Sequence, residues 1–164
     1  MPILTSEIQY RLSGGASNTN PDSALGGAKS STAAGSNIFD AVTSGEAASG
    51  DVEYRCIYVH NNNGSLTYLG SRIWIQTNTP SADTDVAIGL GTSAVNGTEQ
   101  TVANENTAPT SVTFSSPANE AAGLVIGDIP AGQHKAIWVR RTVNANAAGA
   151  SDGFTLRVKG DSLP

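Results

Sequence analysis

The residues of this chain that could carry out chemistry are concentrated in one stretch, Asp51–Thr77. It contains the only cysteine, Cys56, and one of the two histidines, His60. A nucleophilic cysteine needs a lowered pKa and a base within reach. Cys56 instead lies among alternating apolar residues, and nothing marks a group that would orient either histidine as a base. The sequence therefore predicts a small buried core residue at Cys56 and a chain that is not an enzyme.

The remaining polar motifs give no clear metal or cofactor site. His60 and His134 have no cysteine or carboxylate at the ligand spacing of a zinc site. Asp83 and Asp85 form a "DTD" motif, but two carboxylates in a turn are common without calcium. We therefore expect neither a bound metal nor a cofactor.

Two tryptophans and an arginine pair could serve recognition. Trp74 and Trp138 would stack against sugar rings if they were exposed, but each is flanked by aliphatic residues on both sides, which favours the core. Arg140 and Arg141 are adjacent in a long predicted strand, so their side chains should face opposite ways. We expect one of them to pair with a carboxylate and the other to reach a partner.

The elements that position these residues have the period of two that is typical of β-strands. Val52–His60 has apolar residues on both faces, and an Asn63-Gly64 turn, suited to positive φ, predicts a hairpin with Leu66–Thr77. The segment that contains Ile38, Phe39 and Val42 fits a helical turn or a strand. Further strands are predicted at Leu4–Leu12, Val86–Leu90, Gln100–Val102, Ser111–Phe114, Leu124–Ile126, His134–Val143 and Phe154–Gly160.

About eight strands with no convincing helix predict an all-β fold, an antiparallel β-sandwich formed by a single domain over residues 1–164. The strand pattern leaves jelly-roll and immunoglobulin-like topologies equally open.

The segment Ser13–Asn37 has no strand or helix pattern. It is rich in Gly, Ser, Ala and Asn, and Leu25 is its only large apolar residue. This composition predicts a long extended N-terminal arm or loop, which a partner orders on binding. The alternative is a structured loop packed on its own domain. The candidate partner contacts are Asn18, Asn20, Leu25, Lys29 and Arg140.

The charge balance excludes some partners and favours others. With 9 basic and 14 acidic residues, a net charge of -5 and a pI of about 4.8, the chain lacks the basic face of a nucleic-acid binder or of a protein that docks on anionic lipid. The charged fraction is only 14%, against about 25% in typical domains. Either uncharged polar residues solvate the surface, or much of it meets a protein partner.

Four strings carry a resemblance that spans the chain from about Ile8 to Gly160: "YRLSGGASNTNPDSALGG", "GDVEYRCIYVHNNNG", "TSAVNGTEQTVANE" and "IGDIPAGQHKAIWVRRTVNA". They resemble small virion proteins encoded among the structural genes of tailed bacteriophages. The resemblance implies a structural protein of the virion, made in the bacterial cytoplasm. The role that it implies first is that of a capsid decoration or cement protein on the capsid surface. The resemblance implies no catalytic residues.

The partners that follow are the phage major capsid protein and sister subunits in a homo-oligomer, with no nucleic acid and no membrane. The alternative is a β-sandwich binding module of a tail or head-fibre appendage that recognises a host surface glycan.

Overall fold

The computed structural model describes residues 2–148 and 152–163. Short 3-10 turns lie at Thr5–Glu7 and Pro21–Ser23, and none of the described helices is long and apolar enough to cross a bilayer. The described residues form one α-helix, α1 (Ser44–Ser49), and nine strands: β1 (Ile8–Leu12), β2 (Gly26–Gly27), β3 (Asp51–Asn61), β4 (Tyr68–Thr77), β5 (Thr84–Leu90), β6 (Glu99–Thr101), β7 (Leu124–Ile129), β8 (His134–Val143) and β9 (Thr155–Asp161).

The strands form two main antiparallel sheets that pack face to face. The four-stranded sheet has the order β1-β3-β8-β5, the three-stranded sheet has the order β7-β4-β9, and β2 pairs with β6 in a short ribbon. The predicted antiparallel β-sandwich is therefore confirmed. The main core between the sheets is built from residues of both sheets together with Ile38 from the segment before α1. Its members are aliphatic except for Tyr68: Ile38, Ile57, Val59, Tyr68, Ile73, Ile75, Val86, Ile88, Ile129, Ile137 and Val139.

The predicted hairpin of β3 and β4 is wrong, because the two strands belong to different sheets. β3 pairs with β1 and β8, whereas β4 pairs with β7 and β9. The two strands contact through their side chains instead, since Ile57 and Ile73 share the main core. Alternating apolar residues have the same pattern in a hairpin and in two strands facing each other across a core. Neither Asn63 nor Gly64 has the positive φ that a tight hairpin turn would require.

A second core lies on the other face of the four-stranded sheet, where Cys56, Tyr58 and Trp138 are fully buried. Val102 completes the cluster, and Leu25, Val112 and Phe114 pack against it. These covering residues come from two irregular segments, 13–37 and 99–116, which we call the loop layer. The four-stranded sheet is thus buried on both faces, as the apolar residues on both parities of β3 indicated.

The extended arm predicted for residues 13–37 is also wrong, because the segment folds back on its own domain. Its backbone bonds to β1, where Ser30 N–H donates to Leu12 O at 2.8 Å and Leu12 N–H donates to Thr32 O at 3.0 Å. It also reaches β3, whose Cys56 N–H donates to Ala24 O at 2.7 Å. Backbone hydrogen bonds and small side chains hold this segment, so its lack of apolar residues does not prevent folding.

The segment before β3 forms a helix rather than a strand. Thr43 caps α1 in a capping box: its Oγ1 accepts from Glu46 N–H at 3.3 Å, and the Glu46 carboxylate accepts from Thr43 N–H at 2.6 Å. Ile38 is buried in the main core and Phe39 packs against it. The predicted apolar anchor is therefore present, and it holds the chain that leads to α1.

Glycine allows the two parts of the loop layer to approach each other closely. Gly26 has a φ of +98°, and a Cβ at this position would lie 1.8 Å from the carbonyl oxygen of Gln100. Gly15 has a similar φ of +105°, but a Cβ there would have no heavy atom within 4 Å. Substitutions at Gly15 and Gly26 therefore distinguish the cost of an unfavourable backbone conformation from the cost of a steric clash.

We predict that Gly26→Ala destabilises the protein more than Gly15→Ala does. Both substitutions strain a positive φ, but only the first forces β2 away from β6. The expected difference in the free energy of unfolding is at least about 1–3 kcal/mol, the usual range for overpacking, measured by urea denaturation. Equal losses in the two variants would contradict the close packing of the loop layer.

Candidate functional site

The residues with the most reactive chemistry are buried in this fold. Cys56 is fully buried, and burial raises the pKa of its thiol, so it lacks the character of a nucleophile. Burial and the nearby Lys29 lower the pKa of His134 to about 4. The rings of His60 and His134 lie 6.4 Å apart, and neither histidine belongs to a group of three or more potential metal ligands among the described residues.

The two tryptophans are core residues, as predicted. Trp138 is fully buried in the second core and Trp74 is 7% exposed. Neither ring presents a face for stacking against a sugar.

An ionic cluster at one end of the sandwich is the most unusual polar feature of the described structure. Arg55 of β3 is fully buried, and its guanidinium contacts carboxylates of three separate segments. Its Nη2 lies 2.6 Å from Glu105, 3.6 Å from Asp22 and 3.9 Å from Asp40. A buried guanidinium is tolerated only when carboxylates and hydrogen bonds compensate for its lost hydration.

A second ion pair extends this cluster across β3 and β8. Arg141 pairs with Glu53, directly opposite in the strand register, and donates to the backbone oxygen of Asp40 at 2.6 Å. Both guanidiniums lie over the ring of Phe39, whose centroid is 5.4 Å from Arg55 Cζ and 4.9 Å from Arg141 Cζ. Of the predicted arginine pair, Arg141 is therefore the one that binds a carboxylate.

Glu53 belongs to two groups of three carboxylates, one with Asp40 and Glu105 and the other with Glu46 and Asp51. In each group, one oxygen from every side chain lies within 4.8 Å of the others. Burial raises the pKa of Glu53 to about 7, although Arg141 acts to lower it. Neither carboxylate group was predicted from the sequence. One feature of the sequence could have indicated them. Glu53 and Arg55 alternate with their neighbours so that they share a face of β3 with the core residue Ile57, where a strand normally places apolar side chains.

Two of the predicted partner contacts shape the loop layer itself. Asn18 Nδ2 donates to Ser13 O at 2.6 Å, and Asn18 Oδ1 accepts from Asn20 N–H at 2.9 Å. Asn20 Oδ1 in turn accepts from Asp22 N–H at 3.1 Å and caps the short turn there. Asn20 is exposed and Asn18 is half-buried.

The other three predicted contacts lie in different surroundings. Leu25 is half-buried against the second core and lines a cleft of about 480 Å³ between Gly14 and Thr101. Lys29 is half-buried, and Arg140 lies over the ring of Phe114 at 5.3 Å. The structure thus places all five predicted residues in or beside the loop layer, and their role in binding stays a prediction.

The exposed surface of the loop layer is almost free of charge. Asp22 is the only charged side chain among its exposed residues, all of which the structure describes. Asp22 also lies 3.6 Å from the buried Arg55. The rest of the exposed surface consists of Ser, Thr, Asn, Ala and Gly.

Comparisons with models of protein families, with curated proteins and with solved structures found no match for this chain.

We predict that Arg55→Met destabilises the protein by about 1.5–3 kcal/mol, because it removes the charged hydrogen bond to the half-buried Glu105 and the ion pairs with the exposed Asp22 and Asp40. Urea denaturation measures the loss. Arg157→Met is the matched control: Arg157 is exposed on β9, and the expected change is within about 0.5 kcal/mol. Similar values for the two variants would contradict a structural role for the ionic cluster.

Glu99 anchors the other part of the loop layer. Its buried carboxylate accepts from Thr92 N–H at 3.1 Å, Thr92 Oγ1 at 2.9 Å and Ser93 N–H at 2.8 Å. Burial acts to raise the pKa of Glu99, but these hydrogen bonds outweigh it and lower the pKa to about 2. Its own N–H donates to Tyr58 Oη at 3.0 Å, which ties β6 to the second core.

We predict a pH-dependent loss of stability for Glu99→Gln. The folded-state pKa of about 2 lies below the ordinary value of 4.5, so the ionised group stabilises the fold above pH 4.5, and this contribution disappears as the pH falls towards 2. The loss at pH 7 is expected to be about 2–3 kcal/mol and to shrink in acid. Glu120→Gln, on an exposed carboxylate, should show neither effect; a loss for Glu99→Gln that does not change with pH would contradict the assignment.

Proposed function

We propose that this protein is a structural component of a tailed-phage virion, a capsid decoration or cement protein that binds the major capsid protein through the exposed face of the loop layer. The observation that carries the proposal is the near absence of charge on that face. Charged residues are depleted at the cores of protein interfaces, whereas a solvated surface normally carries many of them. The sequence resemblance to phage virion proteins supports the same assignment.

The internal bonding of the loop layer supports this role. Backbone hydrogen bonds join it to β1 and β3, and the asparagine side chains close its turns. A surface that is already ordered loses little conformational entropy when it binds. The proposed contact therefore differs from an arm that folds on the partner: it is a preformed face that docks without rearrangement.

The glycan-binding alternative receives no specific support. It would rely on aromatic rings exposed to a sugar, and both tryptophans are buried. Hydrogen bonding by asparagine alone remains compatible with either function, so the proposal depends on the charge-poor face and on the resemblance.

Two measurements test the proposed function. Quantitative mass spectrometry of purified virions should find hundreds of copies per particle, because a decoration protein repeats over the capsid lattice. A count of a few copies to a few dozen would indicate a tail or fibre protein instead, and absence from virions would overturn the proposal.

The second measurement locates the binding face. We predict that Thr19→Lys and Thr110→Lys each weaken binding to capsids that lack the protein by at least about tenfold, because each buries an unpaired charge in the interface. Thr155→Lys is the control, since Thr155 is exposed on β9, outside the loop layer. Sedimentation of the capsids with bound protein reports the affinity. Loss of binding only in the control would place the contact on the other sheet.

A further inference from the structure

Three carboxylates converge where α1 leads into β3. Glu46 lies in the first turn of α1, Asp51 begins β3, and Glu53 follows on the same parity of that strand. One carboxylate oxygen of each lies within 4.8 Å of the other two. Like charges at this separation repel one another unless a cation or a proton compensates.

Each of these carboxylates has a free oxygen. Glu46 uses Oε2 to accept from Thr43 N–H, Asp51 uses Oδ1 to accept from Asn106, and Glu53 uses Oε2 to pair with Arg141. Within residues 2–148 and 152–163, no hydrogen bond reaches Glu46 Oε1 or Asp51 Oδ2. The bonds already made hold the three side chains in place, and each carboxylate keeps one oxygen without a hydrogen bond from the described residues.

The buried member of the group is a second, independent observation. Glu53 is 1% exposed, and its Oε1 is buried without any hydrogen-bond donor among the described residues. A buried carboxylate oxygen without a partner is costly, and such groups are usually satisfied by a ligand, an ion or water. Although Arg141 already pairs with Glu53 Oε2, the buried Oε1 of Glu53 still requires a further ligand.

The surrounding charges leave two members of this group, Glu46 and Asp51, without a counterion among the described residues. The neighbouring carboxylates Asp40 and Glu105 lie beside Arg55, and Arg141 binds both Asp40 and Glu53. No described lysine or arginine forms an ion pair with Glu46 or Asp51. With Asp22 included, six carboxylates share two guanidiniums, so this region holds most of the chain's net charge of -5.

We propose that Glu46, Asp51 and Glu53 form a binding site for a hard divalent cation, with Ca²⁺ as the best fit. Carboxylate oxygens are the ligands that Ca²⁺ and Mg²⁺ prefer, whereas zinc favours nitrogen and sulfur. Ca²⁺ also accepts irregular geometry and completes its coordination with water and backbone carbonyls. That tolerance suits ligands supplied by a helix and a strand, and the ion would join α1 to β3.

This site revises the expectation of no bound metal and is independent of the proposed virion role. The candidate motif Asp83–Asp85 is not involved. The residues that form the site follow the pattern "EAASGDVE", which lacks the alternating acidic positions and central glycine of an EF-hand loop.

Calorimetric titration of the EDTA-treated full-length protein with CaCl₂ tests the proposal. We expect one saturable site with a dissociation constant of about 10⁻⁴–10⁻³ M, in the range of weak extracellular calcium modules. Glu46→Gln and Asp51→Asn should each weaken binding by about tenfold or more, since each removes a charged ligand. Asp161→Asn, which removes one charge from an exposed position at the end of β9, should leave the affinity unchanged.

Several outcomes would overturn the site. They are the absence of saturable heat, equal weakening in Asp161→Asn, or unchanged binding in both site variants. If the site variants do not fold, NMR of the unaltered protein titrated with CaCl₂ decides the question. Amide shifts confined to residues 43–54 and their neighbours in contact support the proposal, whereas shifts spread evenly or indistinguishable from those caused by NaCl of equal ionic strength reject it.

Discussion

The burial of the Arg55 guanidinium is the constraint on which much of this structure depends. A fully buried cation needs carboxylates around it, and here they come from three segments that are distant in sequence, through Asp22, Asp40 and Glu105. One side chain of β3 therefore fixes the position of the loop before β2, the segment before α1 and the loop after β6. The ring of Phe39 contacts both Arg55 and Arg141 and packs against the main core, so it links the ionic cluster to that core.

The position of the loop layer also depends on β3, because one edge of this strand is only partly paired. β1 pairs with β3 only from Asn61 to Ile57, so the rest of that strand edge is open to other partners. The loops take its place, with Ala24 O accepting from Cys56 N–H and Glu105 O accepting from Tyr54 N–H, each at 2.7 Å. The loops that supply carboxylates to Arg55 thus also satisfy the backbone of the strand that carries it.

These contacts also explain the unusual distribution of charge. Eight of the 23 charged residues form the ionic cluster and the neighbouring carboxylates, while the exposed face of the loop layer is built mostly from small uncharged side chains. A rigid, nearly uncharged face and a compact acidic region are suited to different ligands. The first fits a protein surface, as in the proposed attachment to a capsid, and the second fits a cation.

The sequence by itself determined the local features of this protein. Alternating residues predicted the long strands, although the short strand predicted at Ser111–Phe114 does not form. The apolar neighbours of Cys56 and Trp138 predicted their burial, and the adjacency of Arg140 and Arg141 predicted that one of them would pair with a carboxylate. Each of these depends on the period of two within a single strand.

Tertiary structure alone decided that β3 and β4 lie in opposite sheets, that residues 13–37 fold back, and that Asp22, Asp40 and Glu105 meet at Arg55. A strand's pairing depends on which strand edges, distant in sequence, are free to accept it. The folding of residues 13–37 depends on backbone hydrogen bonds, which form with almost any side chain. The meeting of Asp22, Asp40 and Glu105 at Arg55 requires segments far apart in sequence to come together, and no local sequence pattern predicts this.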